Sequence, residues 1–291
     1  MKLIRKLKKK YPAAKRMIGT WYKNLTSQQP FTRDDEANLH ISLTSYGKKI
    51  QNVYYTIESI FDQSIGFSSV TLWLSREDIT EEQLPKSLLR LKSRGLRVRF
   101  VDENIRSYKK LYYTYEELLE TKNQSALIVT ADDDIFYTDT WLEELLSCHN
   151  QEPNKVICHR GHRIALDDSG DVKPYREWNS SDGASLDLEN VLMPTGIAGV
   201  LYPMEALVGL EQQKDQFMEL CGFADDIWFK CLAKSNGIGA IKVDDSSNSN
   251  PLPLLSLEFK RRGLALYNVY QGGNDKQMAA AMKFFGLDFR S

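Results

Sequence analysis

The chain predicts a single α/β domain built on one open, mostly parallel sheet, and three observations carry that expectation. Short β-rich runs alternate with helical periodicity from Leu39 onward. One of those runs, Ala126-Leu127-Ile128-Val129, is apolar throughout, as a strand buried on both faces must be. No Pro/Gly-rich linker and no internal repeat divides the chain between Asp34 and its end. Strands and helices in such alternation pack as a sheet flanked by helices, and ligands collect at the carboxyl ends of its strands.

Leu39-His40-Ile41-Ser42-Leu43 reads as the first strand, and the polar stretch from Thr44 to Lys49 as a turn. A helix is expected around Val53 to Phe61, then a strand at Val70-Thr71-Leu72-Trp73-Leu74. Leu84, Leu88 and Leu91 mark a helix face that Gly95 ends. A third strand runs from Arg97 to Val101, and a helix around Leu111 to Leu119 leads to the apolar central strand. A further helix starts near Thr138 to Trp141, and Ile227, Phe229, Cys231 and Leu232 mark another, opened by Asp225 and Asp226. Asp167 to Pro194 reads as loop-rich, Asp244 to Pro253 as a surface loop, and the residues after Pro253 as a less regular C-terminal segment.

Composition narrows the class. The 291 residues are 42% hydrophobic and 26% charged, an ordinary globular balance that excludes disordered, collagen-like and coiled-coil chains. Cys148, Cys158, Cys221 and Cys231 show no C-x-x-C spacing, so a reducing, cytoplasmic setting is expected rather than a zinc ribbon or redox centre. The net charge of −1 hides an asymmetry. Residues 1–33 carry ten basic side chains and no acidic one, leaving 28 of the 38 basic groups to face all 39 acidic ones, a balance of −11. An acidic body excludes nucleic acid as a partner. The basic arm, 1–33, intersperses Leu3, Ile4, Leu7, Met17, Ile18, Trp21 and Tyr22 among its charges. It suits either an amphipathic helix capping the domain of residues 34–291 or contact with an anionic membrane surface. No apolar run reaches the ~20 residues of a membrane span and no secretory h-region comes after the basic start, so any membrane contact is expected to be peripheral, at the inner face.

The chemistry concentrates in Thr130-Ala131-Asp132-Asp133-Asp134-Ile135, at the exit of the central strand. On an extended chain Asp132 and Asp134 share a face. Two converging carboxylates repel unless a cation neutralises them, and a hard divalent ion, Mg²⁺ or Mn²⁺, completes its shell with phosphates and water. The competing reading is that these aspartates cap the next helix. Their position after a strongly apolar strand favours the cation site.

On these residues the chain resembles glycosyltransferases of the GT-A type, whose Rossmann-like sheet binds a nucleotide sugar and whose D-x-D after the central strand holds a divalent metal against the donor diphosphate. Three further segments extend the resemblance. His40-Ile41-Ser42-Leu43-Thr44-Ser45-Tyr46 is similar to the strand that opens the nucleotide site, which implicates Thr44, Ser45 and Tyr46 in donor binding. Ser107-Tyr108-Lys109-Lys110-Leu111 is similar to a segment that reaches the donor. Cys221-Gly222-Phe223-Ala224-Asp225-Asp226-Ile227-Trp228 resembles the acidic motif that supplies the base of inverting members. The likeness covers roughly residues 39–243, and the wording of the motifs suggests bacterial surface-polysaccharide enzymes.

The resemblance implies a role for each. Asp132 and Asp134 hold the metal, Asp133 and Lys110 contact the donor, Asp226 is the base and Asp225 orients the acceptor. At a helix N-terminus both carboxylates are expected to stay ionised, although plain capping is the alternative. Lys276, behind Gly272-Gly273, adds positive charge from either a mobile lid or an ordinary turn. Pro194-Thr195-Gly196-Ile197-Ala198-Gly199 lets the donor sugar approach the backbone or is a tight packing turn. Trp178 either stacks on a sugar or packs in its loop, and His159 and His162 are expected in a solvated turn. No histidine lies beyond Asp226, so the late histidine ligand of many relatives is absent, and Asp244 or Asp245 is the candidate in its place.

The implied activity is metal-dependent transfer of a hexose, galactose by default, from a UDP-sugar to a hydroxyl of a saccharide or lipid-linked saccharide acceptor, with inversion. Three alternatives stay open: a retaining transferase of the same fold, a metal-dependent phosphohydrolase, and a non-catalytic carbohydrate-binding protein.

Overall fold

The computed structural model describes residues 2–180, 188–244, 252–254 and 266–290, and gives the backbone alone for residues 2–12, 179–180 and 266. Helix α1 (Lys2–Thr26) precedes an alternating series: β1 (Leu39–Thr44), α2 (Tyr54–Phe61), β2 (Ser69–Ser75), α3 (Lys86–Ser93), β3 (Arg97–Val101), α4 (Lys109–Glu120) and β4 (Leu127–Ala131). Each expected strand and helix of this half is present within a few residues of its reading. Then come β5 (Ile135–Phe136), α5 (Trp141–Gln151), β6 (Val156–Cys158), β7 (Gly161–Arg163), β8 (Asn179–Ser180), β9 (Leu192–Pro194) and β10 (Val200–Pro203). The described chain ends with α6 (Lys214–Cys221), α7 (Asp225–Ser235), β11 (Ala240–Lys242), β12 (Leu252–Pro253) and α8 (Gly273–Phe285).

Seven strands form the central sheet in the order β11-β6-β10-β4-β1-β2-β3. β1 pairs parallel with both β2 and β4, and only β10 runs antiparallel, between β4 and β6. The series β1, β2, β3 grows outward on one side, and β4 returns to the other flank of β1. This reversal of strand order opens a crevice at the carboxyl ends of β1 and β4, where Leu43 pairs with Ala131. Thr44 and Asp132 are the next residues along each strand.

Alternation along β1 sends Leu39, Ile41 and Leu43 into the core shared with α2, α3 and α5, while Ser42 turns to the other face. There the Ser42 hydroxyl donates to the Lys110 carbonyl and meets Thr114 Oγ1 at 2.7 Å, and Trp73 Nε1 donates to the same Thr114 at 2.8 Å. These contacts lock the first turns of α4 over the sheet. The second core gathers α4, α6, α7 and α8 around Tyr108, Phe217 and Trp228.

The C-terminal segment departs from its reading, because Met278 and Ala281 bury one face of a thirteen-residue helix, α8. Its pattern of Gly, Ala and Asn is weak in apolar contrast, which concealed the helix. Gly272, at φ +71°, is the residue before that helix and Gly273 is buried in its first turn, so the glycine pair starts a helix. Cys158, Cys221 and Cys231 are buried free thiols.

The inner side of α1 packs against α2 and α3. Asn24 donates to Glu58, which also holds Arg94 through two buried ion-paired hydrogen bonds, and Arg16 donates to the Tyr137 carbonyl at 2.6 Å. No described helix is long and apolar enough to cross a membrane.

Candidate active site

A cavity of about 830 Å³ opens at the crevice, and both acidic motifs line it. β4 ends at Ala131, and Asp132, Asp133 and Asp134 make the turn into β5. The turn replaces the extended alternation read from the sequence and divides the three carboxylates between different tasks. Asp133 points inward: it is buried, accepts from Ser45 Oγ at 2.6 Å and pairs with Lys49 at 2.9 Å. Burial pushes its pKa up, and Lys49 and Ser45 oppose the shift. Asp132 and Asp134 keep about a third of their side-chain surface exposed to the cavity, 32% and 35%. The Asp132 amide donates to the Tyr137 hydroxyl at 2.9 Å. These aspartates do not cap α5, whose preceding residue is Thr140.

Two buried or half-buried lysines neutralise the turn. Lys110 Nζ lies 3.0 Å from Asp132 and 3.6 Å from Asp225, so one ammonium joins the two acidic motifs. Burial disfavours that charge, and Asp132, Asp225 and Asp226 together more than offset it, holding the pKa above its ordinary value. Lys49, which the sequence reading passed over, answers Asp133 and Asp134 from the short helical turn after β1. Its position in the polar stretch that ends the first strand was the available signal.

α7 begins at Asp225, and Asp225 and Asp226 both enter the cavity from its first turn. Asp225 Oδ1 accepts from Ser107 Oγ at 2.8 Å, which ties the segment before α4 to the acidic motif. Asp226 Oδ2 accepts from the Gly196 amide at 3.0 Å. Contrary to the expectation that the helix dipole keeps both ionised, burial and the neighbouring Asp225 push Asp226 up to about 7, against the pull of Lys110 and the Gly196 amide.

Gly196 shows how closely the groups converge. A Cβ built on it would stand 2.9 Å from Lys110 Nζ, 3.2 Å from Asp226 Oδ1 and 3.5 Å from Asp132 Oδ1. The absence of a side chain leaves that point open between the motifs.

Thr44 and Tyr46 line the cavity, and Ser45 sits behind it against Asp133. Lys276 is exposed on α8 and does not line the cavity, while its neighbour Asn274 does. Asp244 lies off the lining as well, and Asp245 falls outside the described residues. Trp178 is buried, with its indole N–H on the Lys173 carbonyl, so packing rather than sugar stacking accounts for it. The His159 ring is buried against the Trp141 carbonyl, and His162 lines the cavity beside Arg160 and Tyr175; neither occupies a solvated turn. Tyr175 and Arg160 lie far from either acidic motif in sequence, and no spacing signal marked them.

Among the described residues no group of three or more His, Cys, Asp and Glu side chains could hold a metal by itself. Asp132 and Asp134 nevertheless fit a hard cation. They offer only oxygen and face the cavity, each with its side chain about a third exposed. A Mg²⁺ or Mn²⁺ held by two carboxylates takes its remaining ligands from phosphate and water.

No protein-family model and no curated protein sequence matches the chain. Solved structures do. S. aureus TarS 1–349 in complex with UDP superposes with TM-score 0.50 at 14% identity, over 87% of this chain and 67% of that one. The mannosyltransferase PcManGT from Pyrobaculum calidifontis, in complex with GDP-Man and Mn²⁺, does so with TM-score 0.50 at 11% identity, over 96% and 79%. In a second TarS 1–349 structure the chain spans 58% of that fragment's length, at 15% identity and TM-score 0.45. At such identities the likeness is one of fold, a mostly parallel Rossmann-like sheet of the GT-A type flanked by helices.

Proposed function

We propose that the chain is a metal-dependent glycosyltransferase that moves a hexose from a UDP-sugar to a hydroxyl of a saccharide acceptor. The observation that carries the reading is the meeting of Asp132, Lys110 and Asp226 around the open point at Gly196. The neighbours of the same fold were solved with UDP and with GDP-Man and Mn²⁺, which supports a nucleotide-sugar donor.

Asp132 and Asp134 would hold the cation, which supplies positive charge to the donor diphosphate. Thr44 and Tyr46 bind the nucleoside side of the donor. Lys110 and Lys49 add charge where the departing diphosphate becomes more negative. Asp226 takes the proton from the acceptor hydroxyl as that oxygen attacks the anomeric carbon, and Asp225, held by Ser107, orients the acceptor. A carboxyl poised near 7 is matched to base catalysis at neutral pH. Attack opposite the leaving group inverts the anomeric centre. Galactose as the sugar, and bacterial polysaccharide synthesis as the setting, rest on the motif resemblance alone.

Residues 1–33 are proposed as a peripheral contact with the inner membrane face, which would bring a lipid-linked saccharide within reach. The test is a thermal-shift panel of UDP- and GDP-sugars with and without Mn²⁺. A Mn²⁺-dependent shift with a UDP-sugar supports the reading, and no shift with any donor ends it. NMR of the product anomer then separates inversion from retention.

A further inference from the structure

We propose that Arg160, His162 and Tyr175 form an anion-recognising wall of the cavity, which selects an acceptor sugar bearing a phosphate or carboxylate group. The inference rests on the transferase reading and narrows its acceptor.

The lysines of the cavity are already engaged. Lys49 pairs with Asp133 and Asp134, Lys110 with Asp132 and Asp225, and Lys109 donates to Asn104 and stands 3.9 Å from Asp78. All three lysines belong to the half of the sheet that contains β1 to β4, where the donor is expected. Arg160 differs. It comes after β6, two strands beyond β4, lies exposed on the cavity wall, and pairs with no carboxylate among the described residues. Its carbonyl accepts from the Thr195 amide at 2.9 Å, which fixes the turn to the end of β9.

His162 lines the same wall, and its buried Nδ1 has no hydrogen-bond partner among the described residues. Its ring meets Tyr175 edge-on, with centroids 5.8 Å apart. Tyr175 is held from behind, its amide donating to Asp275 at 2.6 Å and its ring packed 4.7 Å from Trp178. Burial and Asp226 raise the phenol's pKa while Arg160 opposes them, so Tyr175 lies within electrostatic reach of both the base and the arginine.

A planar guanidinium matches the oxygen pairs of phosphate and carboxylate, and a neighbouring imidazole and phenol add directional hydrogen bonds. A neutral hexose would leave Arg160 without a counter-charge. The place of Arg160 after β6, two strands beyond β4, and the reach of Tyr175 to Asp226 assign this wall to the acceptor and not to the donor's phosphates.

Calorimetry on the full chain saturated with UDP and Mn²⁺ tests this, with a methyl hexopyranoside, its 6-phosphate and the matching methyl hexuronoside as probes. One of the charged sugars should bind at least tenfold more tightly than the neutral one, and which of the two does so separates phosphate from carboxylate. Arg160→Ala should erase the difference and leave UDP affinity within twofold. Equal binding of the three sugars, no binding of any, or a tenfold loss of UDP affinity in Arg160→Ala overturns the acceptor wall while the donor reading stands. Failure of UDP to bind the unaltered chain overturns the donor reading, and this inference with it.

Discussion

Asp226 is a carboxyl on which opposing influences nearly balance. Burial and Asp225 disfavour its charge, Lys110 and the Gly196 amide favour it, and the result lies at about 7. Because the folded pKa exceeds the unfolded one, the folded chain holds this proton more tightly. Its contribution to stability is complete below about pH 4 and is lost as pH rises toward 7. In the role proposed for Asp226, the carboxylate must be free of that proton. Turnover should therefore rise through about pH 7 while stability falls, and pH-resolved kinetics and melting curves would show the two trends crossing. Asp226→Asn should remove both: transfer drops by roughly 10²–10⁴-fold, UDP binding persists, and the variant melts above the wild type at pH 8 with the gap closing toward pH 4. Wild-type turnover in this variant would take the base away from Asp226. Asp134 makes a separate prediction, since it is part-exposed and paired only to Lys49 among the described residues. Asp134→Ala should leave the melting temperature within a few degrees and abolish Mn²⁺-dependent UDP binding in calorimetry. Unchanged binding would remove the metal from this turn.

At the scale of the element, the connection from β9 to β10 holds two glycines in different surroundings within four residues. Gly199 has φ +90°, and a Cβ there would stand 2.5 Å from the Trp141 ring, whose indole donates to the Ala198 carbonyl. Gly199→Ala should cost roughly 2–5 kcal/mol through strain and overpacking, read as a lower melting temperature. Gly196 has no such backbone demand, and its Cβ would press on the Lys110 ammonium and the Asp226 carboxylate. Gly196→Ala should leave melting nearly unchanged and lower turnover at least tenfold; a stability loss matching that of Gly199→Ala would mean that this glycine serves packing alone. The sequence showed these small residues but could not say which glycine did which work. That pattern is general here. β1 to β4 were legible because apolar period and turn residues agree within each element. β6, β7, β9 and β10 have three or four residues each, too short for a period to register, and their pairing is set by distant partners. The site divided in the same way. Asp132, Asp134 and Asp226 announced themselves as acidic pairs beside apolar runs, whereas Lys49, Arg160 and Tyr175 enter the cavity only through the way the chain folds back.

The molecule as a whole joins its cavity to an amphipathic surface through one tyrosine. Arg16 of α1 donates to the Tyr137 carbonyl, and the Tyr137 hydroxyl accepts from the Asp132 amide, so the helix lies two hydrogen bonds from the Asp132–Asp134 turn. On its other side α1 leaves Ile18, Trp21, Tyr22 and Leu25 69%, 49%, 63% and 42% exposed. Spacings of three, one and three residues put these four on one helical stripe. Large apolar side chains on a helix, within a segment that has ten basic residues and no acidic one, suit an anionic lipid interface, where apolar burial and charge attraction act together. Removing the whole arm would be a poor test, because Arg16, Lys23 and Asn24 also hold α1 to the domain. Paired substitution Ile18→Glu and Trp21→Glu alters the stripe while sparing those contacts. Co-sedimentation at low salt with vesicles of anionic and of neutral lipid should show the wild type on the anionic vesicles only, and the double variant reduced at least tenfold. Transfer to a soluble saccharide should stay the same in both, since neither residue approaches the cavity. Equal vesicle binding by the two proteins would leave α1 as a helix that caps the domain, and the lipid-linked acceptor would lose its support.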